Sequence, residues 1–113
     1  RPARTEPPKA ATTLVQEVSL AMLGALLDFP ELLDHADVQA RADLMTGAAV
    51  LGVLALRGPM DTLLARLPED LQPFAAHRLA APLFDSPDEA LRSFRAYAKK
   101  IHAANLRRPA EAR

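Results

Sequence analysis

The residues best suited to chemistry lie near the end of this sequence, where six basic residues and no acidic one occur between Ala90 and Arg108. On a helix turning 100° per residue, five side chains of this segment fall on one arc: Arg92, Arg95, Lys99, His102 and Leu106. Such an arc could bind nucleic-acid phosphates or the acidic surface of another protein, or it could be an ordinary solvated face. An ordinary solvated face usually mixes both signs of charge, which argues against that third interpretation. Residues 13–85 carry ten acidic and four basic residues and would repel DNA, so we favour a protein partner over nucleic acid.

A second polar group, Asp34, His35 and Asp37, offers the ligand types of a metal site. Its spacing matches no metal-binding motif, and His77 and His102 lie far along the chain, so we interpret it as a solvated turn with helix caps. The serines lie in no nucleophile elbow, and the four glycines are scattered instead of forming a phosphate-binding loop. The sequence therefore predicts a domain that is not an enzyme, with no cofactor and no metal.

Length and composition predict one small domain. The chain has 113 residues and no cysteine, so neither a disulfide framework nor a thiolate zinc site is available, and we expect a cytoplasmic location. The longest uncharged apolar run lies within residues 44–56, well short of the ~20 residues that cross a bilayer. We therefore predict no membrane attachment.

The element that must position these side chains is the first helix, predicted over residues 14–28. Apolar residues occupy almost its whole circumference, and a narrow strip carrying Glu17, Gly24 and Asp28 is left for solvent. A helix that is apolar on most sides must be surrounded by other helices. The sequence therefore predicts an all-α fold, a compact bundle of about six helices around a buried first helix, with Met22 and Leu26 at its centre.

Five further helices are predicted, over residues 30–34, 42–57, 59–67, 68–81 and 86–108. The predicted helix over residues 42–57 contains Gly47 and Gly52, although glycine in a helix interior lowers helix stability. We attribute these glycines to the close approach of a neighbouring helix. Four residues are expected to form the buried stripe of the helix over residues 59–67: Met60, Leu63, Leu64 and Leu67.

The last helix has the clearest start signal, with Ser86 as the cap, Pro87 at the first helical position and Glu89 completing a capping box. Residues 1–12 are rich in proline and lack large apolar side chains, so we predict a disordered linker there. The helical interaction domain then covers residues 13–108, and residues 109–113 form a disordered tail.

Two stretches of the sequence are similar to a known family. From Glu17 to Leu33, EVSLAMLGALLDFPELL combines an acid, leucines at helical spacing and a Pro-Glu-Leu step, and it resembles the opening of the C-terminal helicase-binding domain of bacterial DNA primase. The segment DSPDEALRSFRAYAKKIHAANLRR is similar to that family's Asp-Pro-x-x-Ala-Leu followed by a strongly basic helix. That family usually continues into a terminal helical hairpin. This sequence departs from the pattern, because it stops at Arg113.

The resemblance implies that the domain docks a primase onto the hexameric replicative helicase, while primer synthesis belongs to other domains of the parent protein. Two alternatives remain open. The N-terminal domain of the helicase itself has a related fold, which would make this an oligomerisation module. The basic last helix would also suit a helical nucleic-acid-binding module.

Overall fold

The computed structural model describes residues 7–106, with side chains from Leu14 onward. This part of the chain contains no strand, and its α-helices are α1 (Pro7–Asp28), α2 (Ala36–Arg41), α3 (Ala48–Leu56), α4 (Leu63–Arg66), α5 (Gln72–Ala80) and α6 (Pro87–Leu106). Short 3₁₀ turns occupy Pro30–Asp34, Ala42–Leu44, Met60–Thr62 and Glu69–Leu71. The prediction of an all-α bundle of about six helices is confirmed. Among the described helices, none is both long and apolar enough to cross a membrane.

The first helix is the centre of the bundle. It packs against α6, α3 and α5, and Met22 and Leu26 on it are fully buried. Each is expected to contribute about 2–5 kcal/mol relative to alanine, because truncation removes burial and leaves a cavity. The predicted central position of this helix is therefore confirmed.

The start of α1 differs from the prediction. The helix begins at Pro7 and not at residue 14, so residues 7–12 belong to it and not to a disordered linker. Prolines are tolerated in the first turn of a helix, where backbone N–H groups have no intrahelical acceptor, and the following alanines favour helix. Residues 1–6 and the predicted tail at 109–113 lie outside the described residues.

The solvent-facing strip assigned to α1 is largely wrong. Glu17 is exposed, but Gly24 and Asp28 are buried. The Asp28 carboxylate accepts hydrogen bonds from Arg78 of α5 and from the backbone N–H groups of Leu83 and Phe84. This side of α1 therefore holds α5 and the loop that follows it.

The predicted helix over residues 42–57 is divided. Residues 42–44 form a 3₁₀ turn, and α3 begins only after Gly47, whose positive φ of 72° interrupts the helix. The intervening loop is tied to α1, because the Thr46 N–H donates to the buried Ser19 Oγ over 3.0 Å. Within α3, a Cβ on Gly52 would come within 2.5 Å of a Leu23 methyl carbon, so the expected close approach of a neighbouring helix is confirmed at this glycine.

The predicted fourth helix is shorter than its apolar residues indicate. A 3₁₀ turn precedes the single α-helical turn of α4, and Leu67 is already extended with ψ at 149°. Leu63 and Leu67 are buried as expected, whereas Met60 and Leu64 are exposed. The tighter 3₁₀ turn changes the direction of the side chains, so the four residues do not form one buried stripe.

Candidate interaction face of the last helix

The helix α6 carries the residues proposed as a binding site, and its own sequence fixes their orientation. Ser86 Oγ accepts from the Glu89 N–H over 3.2 Å, which confirms the predicted cap. Glu89 accepts from the Asp85 N–H instead of that of Ser86, so the expected capping box is displaced by one residue. The buried arc of the helix lies against α1 and contains Leu91, Phe94, Ala98 and Ile101. Burial of this arc directs the neighbouring arc outward.

We call the outward arc the basic face and define it by Arg92, Arg95, Lys99, His102 and Leu106. All but Arg95 are exposed, and Leu106 is 70% exposed. Within the described part of the chain, Arg92, Lys99 and His102 form no ion pair. The helix therefore presents positive charge and an apolar side chain on the same side.

Arg95 differs from its neighbours on the basic face. Its Nε donates to Asp37 Oδ2 over 2.8 Å, and its Nη2 donates to the same oxygen. Asp37 belongs to α2, which packs beside α6, so the surface around the basic face is not free of acids even though the segment from Ala90 to Arg108 contains none. Part of the positive charge counted in the sequence is thus compensated within the domain.

The polar group around Asp37 serves the local structure of α2. His35 Nδ1 accepts from the Asp37 N–H over 3.1 Å and caps the helix, which confirms the interpretation of this segment as containing a helix cap. The hydrogen bond from Arg95 holds the pKa of the Asp37 carboxyl below its usual 3.8, with Arg41 and His35 adding to this effect. In the described residues, no group of three His, Asp or Glu side chains is arranged to hold a metal ion.

Comparison with known proteins gives no relative. No protein-family model matches the chain, and neither a curated protein nor a solved structure matches it significantly. These comparisons lend no support to the resemblance to the primase domain, which rests only on the residues quoted in the sequence analysis.

One exposed surface was not singled out from the sequence. Val50, Leu51 and Leu54 lie on the outer side of α3 and remain exposed. The sequence signal was the lack of polar residues on this helix, because a helix without a polar side exposes apolar residues unless neighbours cover it all round. The structure covers one side of α3 and leaves the other open.

Proposed function

We propose that this domain is a non-catalytic adaptor that docks its parent protein onto another protein, and that the partner is the hexameric replicative helicase. The observation that supports docking is the basic face of α6, where Arg92, Lys99 and His102 are exposed and Leu106 adds apolar area. The choice of the helicase rests on the resemblance of the first and last segments of the sequence to primase. The parent protein would then be a primase, a DNA-directed RNA polymerase whose chemistry resides in other domains.

The mixture of groups on the basic face favours a protein over nucleic acid. A phosphate-binding surface gains affinity from every cation it presents. Here the Arg95 guanidinium is already paired with the Asp37 carboxylate, which would lie close to a bound phosphate and repel it. An exposed leucine contributes little to contact with a phosphate backbone but can fill a depression on a protein surface. Cations around an apolar contact speed encounter with an acidic partner and select its orientation.

The test replaces two cations of the basic face that have no partner among the described residues. Arg92→Glu with Lys99→Glu should slow association with the helicase hexamer about tenfold at low salt and flatten its salt dependence. Arg95 is a poor choice for reversal, because a glutamate there would face Asp37 and disturb α2. Lys100→Glu is the matched control for Lys99→Glu alone, since it reverses one charge on the same helix about 100° away from Lys99.

Association rates measured by surface plasmon resonance at several salt concentrations give the answer. The proposal is contradicted if the wild-type domain does not bind the helicase, or if the double variant binds it at the same rate as the wild type. Binding of an oligonucleotide whose affinity falls steeply with salt, without helicase binding, would instead support the nucleic-acid-binding module. Self-association of the wild type that the double variant loses would support the oligomerisation module.

A further inference from the structure

The helix α3 exposes a contiguous apolar surface. Its nine residues carry no charged or polar side chain, and its inner side, with Ala49, Gly52 and Val53, is buried in the bundle. On its outer side Leu51 is 51% exposed and Leu54 is 58% exposed. Leucines exposed singly are normal on a protein surface, whereas neighbouring leucines on one helix form a patch.

A shallow groove, widely open to solvent, lies beside this patch, between α3 and the segment that contains α4. Its lining is apolar except for one arginine and consists of Leu51, Leu54, Ala55, Arg66, Leu67 and Pro68. We call it the α3–α4 groove. A second depression beside α3, which Leu54 also lines, is different because it contains both Asp43 and Arg57. The α3–α4 groove therefore combines apolar walls with a single positive charge.

The position of that charge is fixed by the structure. The Arg66 guanidinium donates to Ala55 O over 2.8 Å, to Thr62 Oγ1 over 3.0 Å and to Pro59 O. Gly58 leaves room for it, since a Cβ there would lie 2.6 Å from Arg66 Nη1. All three acceptors are uncharged, and no carboxylate of the described residues forms an ion pair with Arg66. The groove thus holds a positioned cation whose charge is not matched by an acid.

The size of the surface restricts what can cover it. A stable dimer interface buries about 800 Å² on each partner and involves roughly 20–30 residues a side. The exposed patch on α3 consists of only a few side chains, so it is too small to hold a stable dimer together by itself. Residues 1–6 and 107–113 contain no valine, leucine, isoleucine, methionine or aromatic residue, so they cannot fill an apolar groove. A helix that binds in a groove needs only three or four apolar anchors, spaced at i, i+3 or i+4, and i+7.

From these contacts we propose that the α3–α4 groove binds an amphipathic helix of a partner protein, with its apolar residues against Leu51 and Leu54 and an acidic side chain at Arg66. This site shares no residue with the basic face. It therefore gives the domain a second docking surface, whose existence does not depend on helicase binding.

The probe is a synthetic helical peptide of about 15 residues with leucines at i, i+3 and i+7 and glutamates flanking them. We expect saturable binding, measured by fluorescence anisotropy, with amide NMR shifts concentrated in α3 and α4. Leu51→Ser with Leu54→Ser should weaken binding about tenfold or more. Both positions are exposed, so the fold should persist, and circular dichroism checks this. Leu83→Ser, at an exposed leucine in the loop between α5 and α6, is the control and should have no effect.

A second peptide, with lysines in place of the glutamates, tests the role of Arg66 and should bind several-fold more weakly. Three outcomes would overturn the proposal: no saturation at about 1 mM of the glutamate peptide, equal affinity for both peptides, or equal binding by the Leu51 and Leu54 variant. Dimerisation of the wild type that this variant abolishes would assign the surface to a second copy of the chain.

Discussion

Two aspartate–arginine pairs join distant parts of this domain, and their surroundings differ. Asp28 pairs with Arg78, 50 residues later, and Asp37 pairs with Arg95, 58 residues later. In the first pair the Asp28 side chain is fully buried and that of Arg78 is 11% exposed. In the second pair the side chains are 34% and 42% exposed. The same two residue types therefore meet once in the interior and once at the surface.

The buried pair is part of a larger network. Arg78 Nε and Nη2 donate to the two oxygens of Asp28 over 2.9 and 2.8 Å, and two backbone N–H groups of the following loop complete the set of donors. The guanidinium also lies 5.9 Å from the ring centre of Phe74 and 5.7 Å from that of Phe84. Loss of one partner would leave a buried charge uncompensated, whereas water replaces a lost partner at the surface. Burial should thus decide what each pair contributes to stability.

The largest effect is expected for Arg78→Met. The substitution keeps much of the side-chain volume but leaves the Asp28 carboxylate buried without its cation, which should lower the free energy of unfolding by about 3–5 kcal/mol. Urea denaturation followed by circular dichroism measures the change. Arg95→Met is the matched control, because it removes the same group from the surface pair. Equal losses for the two variants would contradict the assigned role of burial.

A smaller effect is expected for Gly24→Ala, which tests how tightly the buried arginine packs on α1. A Cβ at residue 24 would lie 2.7 Å from Arg78 Cζ, so the guanidinium must move away from Asp28. We expect a loss of about 1–3 kcal/mol despite the better helix propensity of alanine. In the Arg78→Met background the clash disappears, and Gly24→Ala should become neutral or stabilising. If the loss of unfolding free energy in the double variant equals the sum of the losses in Gly24→Ala and Arg78→Met, the two residues are not coupled and this interpretation is wrong.

The smallest effect is expected at the surface pair, where it should depend on pH. The pKa of Asp37 is lowered in the folded chain, chiefly by the Arg95 hydrogen bond, so the pair stabilises the fold above the ordinary aspartate pKa. That contribution is lost as the pH falls through the lowered pKa, which lies below 3.8. The stability difference between wild type and Arg95→Met should therefore be small at pH 7 and vanish in acid. A difference that grows from pH 5 to pH 2 would contradict this assignment.

Much of α6 could be predicted from the sequence because its determinants are local. Ser86 and Glu89 lie within one turn of each other, and the apolar period that buries Phe94 also directs Arg92 and Lys99 outward. The burial of Met22 in α1 follows from the same kind of pattern. Positions on one helix are related by its geometry alone, so their relative orientation needs no knowledge of the rest of the fold.

The roles of Gly24 and Asp28 were decided by the tertiary structure. On the helix alone they form a polar strip suited to water, but Arg78 approaches from α5 and turns that strip into an interior contact. The surface of α3 shows the opposite case, since an apolar Leu54 remains uncovered. Periodicity specifies which side chains share a side of a helix, whereas the packing of distant segments determines whether that side meets water, an arginine or another helix.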